Sequence, residues 1–258
     1  MNRGTFDGNL DEIKFVANFN SNKDLYTEYL SNFRNNNLWL TRVTSKQHSN
    51  LSGKKVFTRS DCYLVNIIDD INNLLTENNF YLSEEILDSN NINYQKVPYS
   101  GISIKMMTSE KFQILKTGPD SFKGLFGFYE LGAGASLYCK KQEELVKNHN
   151  LIIGWKTTIN NMAKFYQNYI NGKDSFYLDQ QICASIKNFA NNEIKRIINN
   201  SPELQKKIFN GISLYDEPYT AHYFYHGDNI TKLTTIPFNV TTGSGRSKGD
   251  YTIVLKPC

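Results

Sequence analysis

Apolar side chains recur along this chain in two periods, and the switches between them mark out its elements. Over residues 9–20, Leu10, Ile13, Val16, Ala17 and Phe19 stand near helical spacing. Asp11 and Glu12 fall in what reads as the first turn, where carboxylates suit the helix dipole. A second helix is predicted over residues 23–35, with Leu25, Tyr29, Leu30 and Phe33 on one face, followed by a strand over 38–44. Two short runs rich in β-branched and aromatic residues, 56–67 and 99–106, also read as strands, with a helical insertion over 69–87 between them. A strand over 111–117 follows, then a turn and helix start at 118–122. The small-residue stretch Gly132-Ala133-Gly134-Ala135 leads into a predicted helix over 136–147, and 151–155 reads as a strand or a buried turn. Helices are predicted over 158–171 and 175–199, with a short one to 209. The pattern then changes to strands at 221–226, 233–242 and 250–255.

The fold class expected from this order is α/β: a mixed central sheet flanked by helices, plus a C-terminal α+β region of helices then hairpins. A boundary near residue 156 separates residues 1–156 from residues 157–258.

Composition narrows the classes. A chain of 258 residues with 40% hydrophobic and 13% aromatic residues has ample core material and is not a disordered one. A net charge of +4 permits an anionic partner without requiring one. Cys62, Cys139, Cys183 and Cys258 form no CxxC pair and no zinc spacing, so unbridged thiols in a reducing compartment are expected. The start of the chain has no apolar signal region, and no stretch approaches the roughly 20 apolar residues of a membrane span. The expectation is a soluble, cytoplasmic protein with no membrane partner.

The chemistry sits on the two short runs. Asp61 heads the first, and Ser103 and Lys105 share one face of the second, with Ile102 and Ile104 on the other. An acid and a lysine on adjacent strands are the minimum for holding a divalent metal and activating water beside a phosphodiester. Asp61 supplies a carboxylate and the Ile104 carbonyl a second oxygen, which suits Mg²⁺. Lys105 is placed to orient or deprotonate water, or to stabilise charge. The plain alternative is a strand-end Asp and an edge-strand Lys.

Ser60-Asp61 followed by Ser103-Ile104-Lys105 resembles the PD-(D/E)xK nuclease signature, with Ser where the second acid would stand. With Leu51-Ser52-Gly53-Lys54-Lys55 before it and residues 112–126 after it, the stretch is similar to type II restriction endonucleases, small monomeric ones in particular, over about the first 150 residues. The resemblance implies a Mg²⁺-dependent enzyme that cuts a short double-stranded DNA sequence, as a monomer or homodimer. It also implies a glutamate on the N-terminal helix aimed at the metal, for which Glu12 stands as candidate.

The segment Thr241–Asp250, with Thr242, Ser244, Arg246, Ser247 and Lys248, resembles the C-terminal recognition strands of those enzymes. Arg246 there is a candidate for guanine O6 and N7, and Lys248 for a base or phosphate. A solvated hairpin turn is the alternative. Lys46, Gln47 and Lys54 lie in a basic loop before Asp61 that suits phosphates. His222 and His226 read better as hydrogen-bonded residues at a core margin than as base readers. Two rival functions stand beside restriction: a repair or junction-resolving nuclease of the same superfamily, and a non-catalytic DNA-binding protein with a degenerate core.

Overall fold

Cys62–Ile67 is buried at five of its six positions, on both faces, which is the mark of a central strand. The computed structural model describes residues 3–44, 59–105, 113–226 and 228–258. Its strands are β1 (Leu38–Arg42), β2 (Cys62–Ile67), β3 (Tyr94–Lys96), β4 (Ile102–Ile104), β5 (Leu115–Thr117), β6 (Tyr223–His226), β7 (Asn229–Lys232), β8 (Phe238–Thr242) and β9 (Ile253–Pro257). Two units divide the chain, residues 1–110 with 206–235 and residues 111–205 with 236–258.

The first unit is built on a six-stranded sheet of order β1-β2-β4-β6-β7, with β3 also beside β2. It is mixed: β4 and β6 run parallel, while the other pairs are antiparallel. Helix α1 (Arg3–Ser21) lays Phe15, Val16 and Phe19 on the face that carries Leu40, Cys62, Leu64 and Ile102. Each of these burials is worth about 2 kcal/mol. The opposite face, with Tyr63, Val65 and Ile67, is covered by Leu74 and Leu75 of the helix Asn72–Glu77 and by Leu87 of the helix Glu84–Ser89. A mixed sheet flanked by helices is therefore what the chain forms.

Gly101 sets the start of β4. Its carbonyl accepts from His222 N–H at 2.8 Å and Tyr223 N–H at 3.0 Å, which opens the parallel pairing with β6. A Cβ at this position would stand 1.9 Å from the Thr220 carbonyl oxygen and 2.7 Å from that of Pro218. Both are backbone atoms and cannot swing aside. Gly101→Ala is expected to cost about 3 kcal/mol of stability. Urea unfolding is the check, and a midpoint equal to wild type would contradict this packing.

The second unit pairs a three-stranded antiparallel sheet, order β5-β9-β8, with helices. Helix α2 (Pro119–Phe126) and the buried helix α3 (Tyr129–Ser136) precede α4 (Lys147–Gly154) and the long amphipathic α5 (Gln180–Asn199). Among the described residues no helix is long and apolar enough to cross a membrane.

Several expectations are corrected. The stretch Gly132 to Ala135 is helical, not the approach to a helix, because its small side chains admit large rings: a Cβ at Gly132 would meet Trp155 at 2.3 Å. Tertiary packing overrides low helix propensity here. The chain after it runs without a helix until the short 3₁₀ turn Gln142–Glu144, and residues 151–154 are helix rather than strand. The second helix is a 3₁₀ turn, Lys23–Tyr26, joined to one α-turn, Thr27–Leu30. The boundary near residue 156 falls inside the second unit, just past α4. The first unit recruits β6 and β7 from the far end of the sequence; β6 pairs with β4 in parallel, an arrangement a crossover connection makes and a short hairpin cannot.

Candidate active site

Asp61 is gripped from both sides by main chain. Its carbonyl accepts from Val43 N–H at 2.9 Å, and its N–H donates to the Ile102 carbonyl at 2.8 Å. The β2–β4 ladder has a single registered pair, Cys62 with Ile102, and just beyond it the two chains part, with Ser60 N–H donating to the Tyr219 carbonyl instead. Ile104 N–H would be left without a strand partner, and the Asp61 carboxylate takes that place: Oδ2 accepts from Ile104 N–H at 2.6 Å and from the Ser103 hydroxyl at 3.3 Å. A strand residue's N–H and C=O leave from the same edge, so the Ile104 carbonyl also faces the Asp61 side. The expected ligand atom of Ile104 was its carbonyl; the contact made to Asp61 is by its N–H.

Glu12 reaches this place from α1, which is held to the sheet at two points. The Asn20 amide bonds both the N–H and the C=O of Leu40 on β1, at 2.8 and 2.9 Å, and the Phe15 ring stacks on Tyr225 at 3.8 Å. Because α1 begins at Arg3, Glu12 stands in mid-helix and not in the first turn, and the helix dipole does not account for it. Its Oε2 instead meets Arg42 of β1, at 2.7 Å from Nε and 2.6 Å from Nη2. Burial, then the nearby Asp61 charge, push the Glu12 carboxyl up from 4.5 to about 7, against the opposing pull of Arg42 and Lys105. Burial works against the Arg42 charge, but its Glu12 and Tyr81 contacts overcome this. Beneath the cluster, burial together with Asp61 and Glu12 pushes the Cys62 thiol well up, so it stays protonated.

A raised carboxyl value makes stability fall with pH. The native chain holds the Glu12 proton more tightly than the unfolded one, so this contribution is complete below 4.5 and is lost as pH rises through about 7. The ceiling is about 3 kcal/mol for a shift of this size. Glu12→Gln is expected to flatten the stability profile between pH 4.5 and 7 in thermal melts. An unchanged slope in the variant would contradict the placement of Glu12.

A cleft of about 290 Å³ opens between α1 and the ends of β4 and β6, with Lys105, Asp11, Lys14 and Asn18 on its walls. Lys105 follows β4 directly, lies within electrostatic reach of Glu12, and is part-exposed. The structure therefore joins Asp61 to Ser103 and Ile104, and sets Asp61 and Lys105 within electrostatic reach of Glu12. Arg42, Asn20 and the cleft wall of α1 escaped the sequence reading. A strand-end arginine carries no signal of its own, but Asp11, Lys14 and Asn18 follow a helical spacing that could have shown one polar stripe.

The C-terminal candidates belong to the second unit. Ser244, Arg246, Ser247 and Lys248 form a 3₁₀ turn after β8, whose last residue is Thr242. Ser244, Ser247 and Lys248 are exposed, but Arg246 is committed to its own chain: Nη1 donates to the Ser136 carbonyl at 2.5 Å, and the guanidinium lies 3.8 Å over the Tyr138 ring. A role in reading guanine does not follow from that placement. Lys46, Gln47 and Lys54 lie outside the described residues. His222 bonds Glu217 and Thr220, and His226 stacks on Phe224, as expected of satisfied residues. Glu130 accepts from the Thr157 hydroxyl at 2.5 Å and is a structural acid.

Among the described residues no three His, Cys, Asp or Glu side chains gather as a metal cluster. The four cysteines are unbridged. No protein-family model matches this chain, and no solved structure matches it. The chaperone protein HtpG of Desulfitobacterium hafniense (strain Y51) is 26% identical over 139 residues. That segment is 52% of this chain and only 22% of the chaperone, and a likeness so limited shows no family.

Proposed function

We propose that this protein is a Mg²⁺-dependent endonuclease acting on double-stranded DNA, and that it is a type II restriction enzyme. The observation that carries the reading is the Asp61 carboxylate bonded to the Ile104 N–H on β4, one residue before Lys105. Two residues 43 positions apart in sequence (104 − 61) thus meet at the point where their strands diverge, and Ile104 and Lys105 line the neighbouring cleft. The PD-(D/E)xK-like spacing of Ser60-Asp61 and Ser103-Ile104-Lys105 supports the same reading.

Two oxygens, Asp61 Oδ1 and Glu12 Oε1, accept no hydrogen bond among the described residues. They are hard donors, and this suits Mg²⁺, which takes few protein oxygens and keeps water; burial first, and the Asp61 charge second, raise the Glu12 carboxyl. When bound, the ion would neutralise phosphate charge and make a nucleophile of water. The chain's own groups would do the rest. Ile104 N–H and Ser103 fix the Asp61 carboxylate; Lys105, on the cleft wall, would set an ammonium against the charge that builds on the phosphoryl oxygens. The resemblance implies in-line attack by water and 5′-phosphate and 3′-hydroxyl products.

A plasmid digest with Mg²⁺, and with EDTA as control, tests the reading. Discrete fragments that EDTA abolishes would support restriction. Nicking confined to branched or damaged DNA would move the reading to a repair or junction-resolving nuclease. DNA retarded in gels yet never cut with Mg²⁺ would leave only a binding protein.

A further inference from the structure

We infer that Arg42 takes the place of a second divalent cation, so that Asp61 and Glu12 together accommodate one ion and not two. This rests on the nuclease reading above and deepens it. Arg42 ends β1 directly opposite Cys62, and the N–H of its neighbour Val43 donates to the Asp61 carbonyl. Sheet register therefore fixes the base of the guanidinium beside the site. Nε and Nη2 converge on one atom, Glu12 Oε2, at 2.7 and 2.6 Å, and only 12% of the Arg42 side chain is exposed. A guanidinium keeps its charge at any working pH, and a charge this sheltered persists only while paired.

Each carboxylate is thus half spent. Glu12 Oε2 is held by two N–H donors of Arg42, and Asp61 Oδ2 by Ile104 N–H and Ser103. One oxygen of each accepts no hydrogen bond among the described residues, and the two carboxylates lie near enough for the Asp61 charge to act on Glu12. Two-metal sites hold their ions about 4 Å apart and need carboxylate oxygens for both. A second ion here would have to displace the Arg42 donors and then sit against an unscreened like charge. Arg42 is accordingly a positioning residue: it orients Glu12 and supplies, through it, a fixed unit of positive charge.

Counting bound Mn²⁺ on the DNA-free full-length chain by electron paramagnetic resonance tests this without any turnover. The wild-type chain is expected to bind one ion. Arg42→Met, which keeps the stem and removes the charge, is expected to bind about two at millimolar Mn²⁺, and Arg42→Lys one. Arg42→Gln retains a donor for Glu12 and serves if the methionine variant does not fold; it too is expected to exceed one. Two ions on wild type, or a single ion on folded Arg42→Met or Arg42→Gln, would overturn the inference. Two ions on a wild-type chain that still cuts DNA would overturn this inference alone, whereas no ion at all would remove the nuclease reading with it.

Discussion

Asp61→Asn is expected to lower DNA cleavage by about 10³-fold or more, close to 4 kcal/mol of transition-state stabilisation. The amide oxygen can still accept from Ile104 N–H, so the backbone geometry at the parting of β2 and β4 should persist. What disappears is the negative charge. Sequence-specific DNA binding should remain measurable in gel-shift assays with Ca²⁺. The substitution also carries a second signature independent of activity. The Asp61 charge is one of the causes that raise Glu12, so its removal should bring the Glu12 value down from about 7 toward 4.5. The pH range over which stability falls would then narrow from its upper end. Thermal melts at several pH values read this directly, and a profile identical to wild type would separate Asp61 from Glu12.

Lys105→Met is expected to reduce cleavage by about 10²-fold or more, by removing a cation aimed at developing phosphate charge while keeping the aliphatic stem. Its effect on Glu12 has the opposite sign. Lys105 lowers the Glu12 value, so its loss should raise it further and move the upper end of the stability loss to higher pH. Two substitutions that both slow cutting but shift one carboxyl in opposite directions are hard to explain unless all three groups share a site. Cleavage by Lys105→Met at the wild-type rate would exclude the lysine from the chemistry.

Much of this site could be read from the residues, because its parts follow short-range rules. Residues 62–67 and 102–104 are dense in β-branched and aromatic side chains, and alternation placed Ser103 and Lys105 together. The helical period put Phe19, Val16 and Glu12 on one element. What stayed hidden depends on distant contacts. Arg42 reads as an ordinary strand residue until the register opposite Cys62 carries it to Glu12. The hairpin of β6 and β7 reads as part of a C-terminal region, yet belongs beside β4, 121 residues earlier by first residue (223 − 102). Arg246 in a Gly-x-Gly-Arg turn looks available for DNA, but its carbonyl partners at Ser136 and Leu137 are more than a hundred positions away. The Gly132 to Ala135 helix was obscured because glycine signals a break locally, while Trp155 and Tyr166 reward it tertiarily. Periodicity records which face a residue occupies; it does not record which strand arrives beside it.

The most direct measurement is to sequence the ends of double-stranded DNA incubated with Mg²⁺ and either the wild-type chain or Asp61→Asn. The wild type should yield ends at one short recurring sequence, and Asp61→Asn should yield none above background. Random or absent ends with the wild type, or the same ends at the same rate with Asp61→Asn, would contradict the assignment of this site.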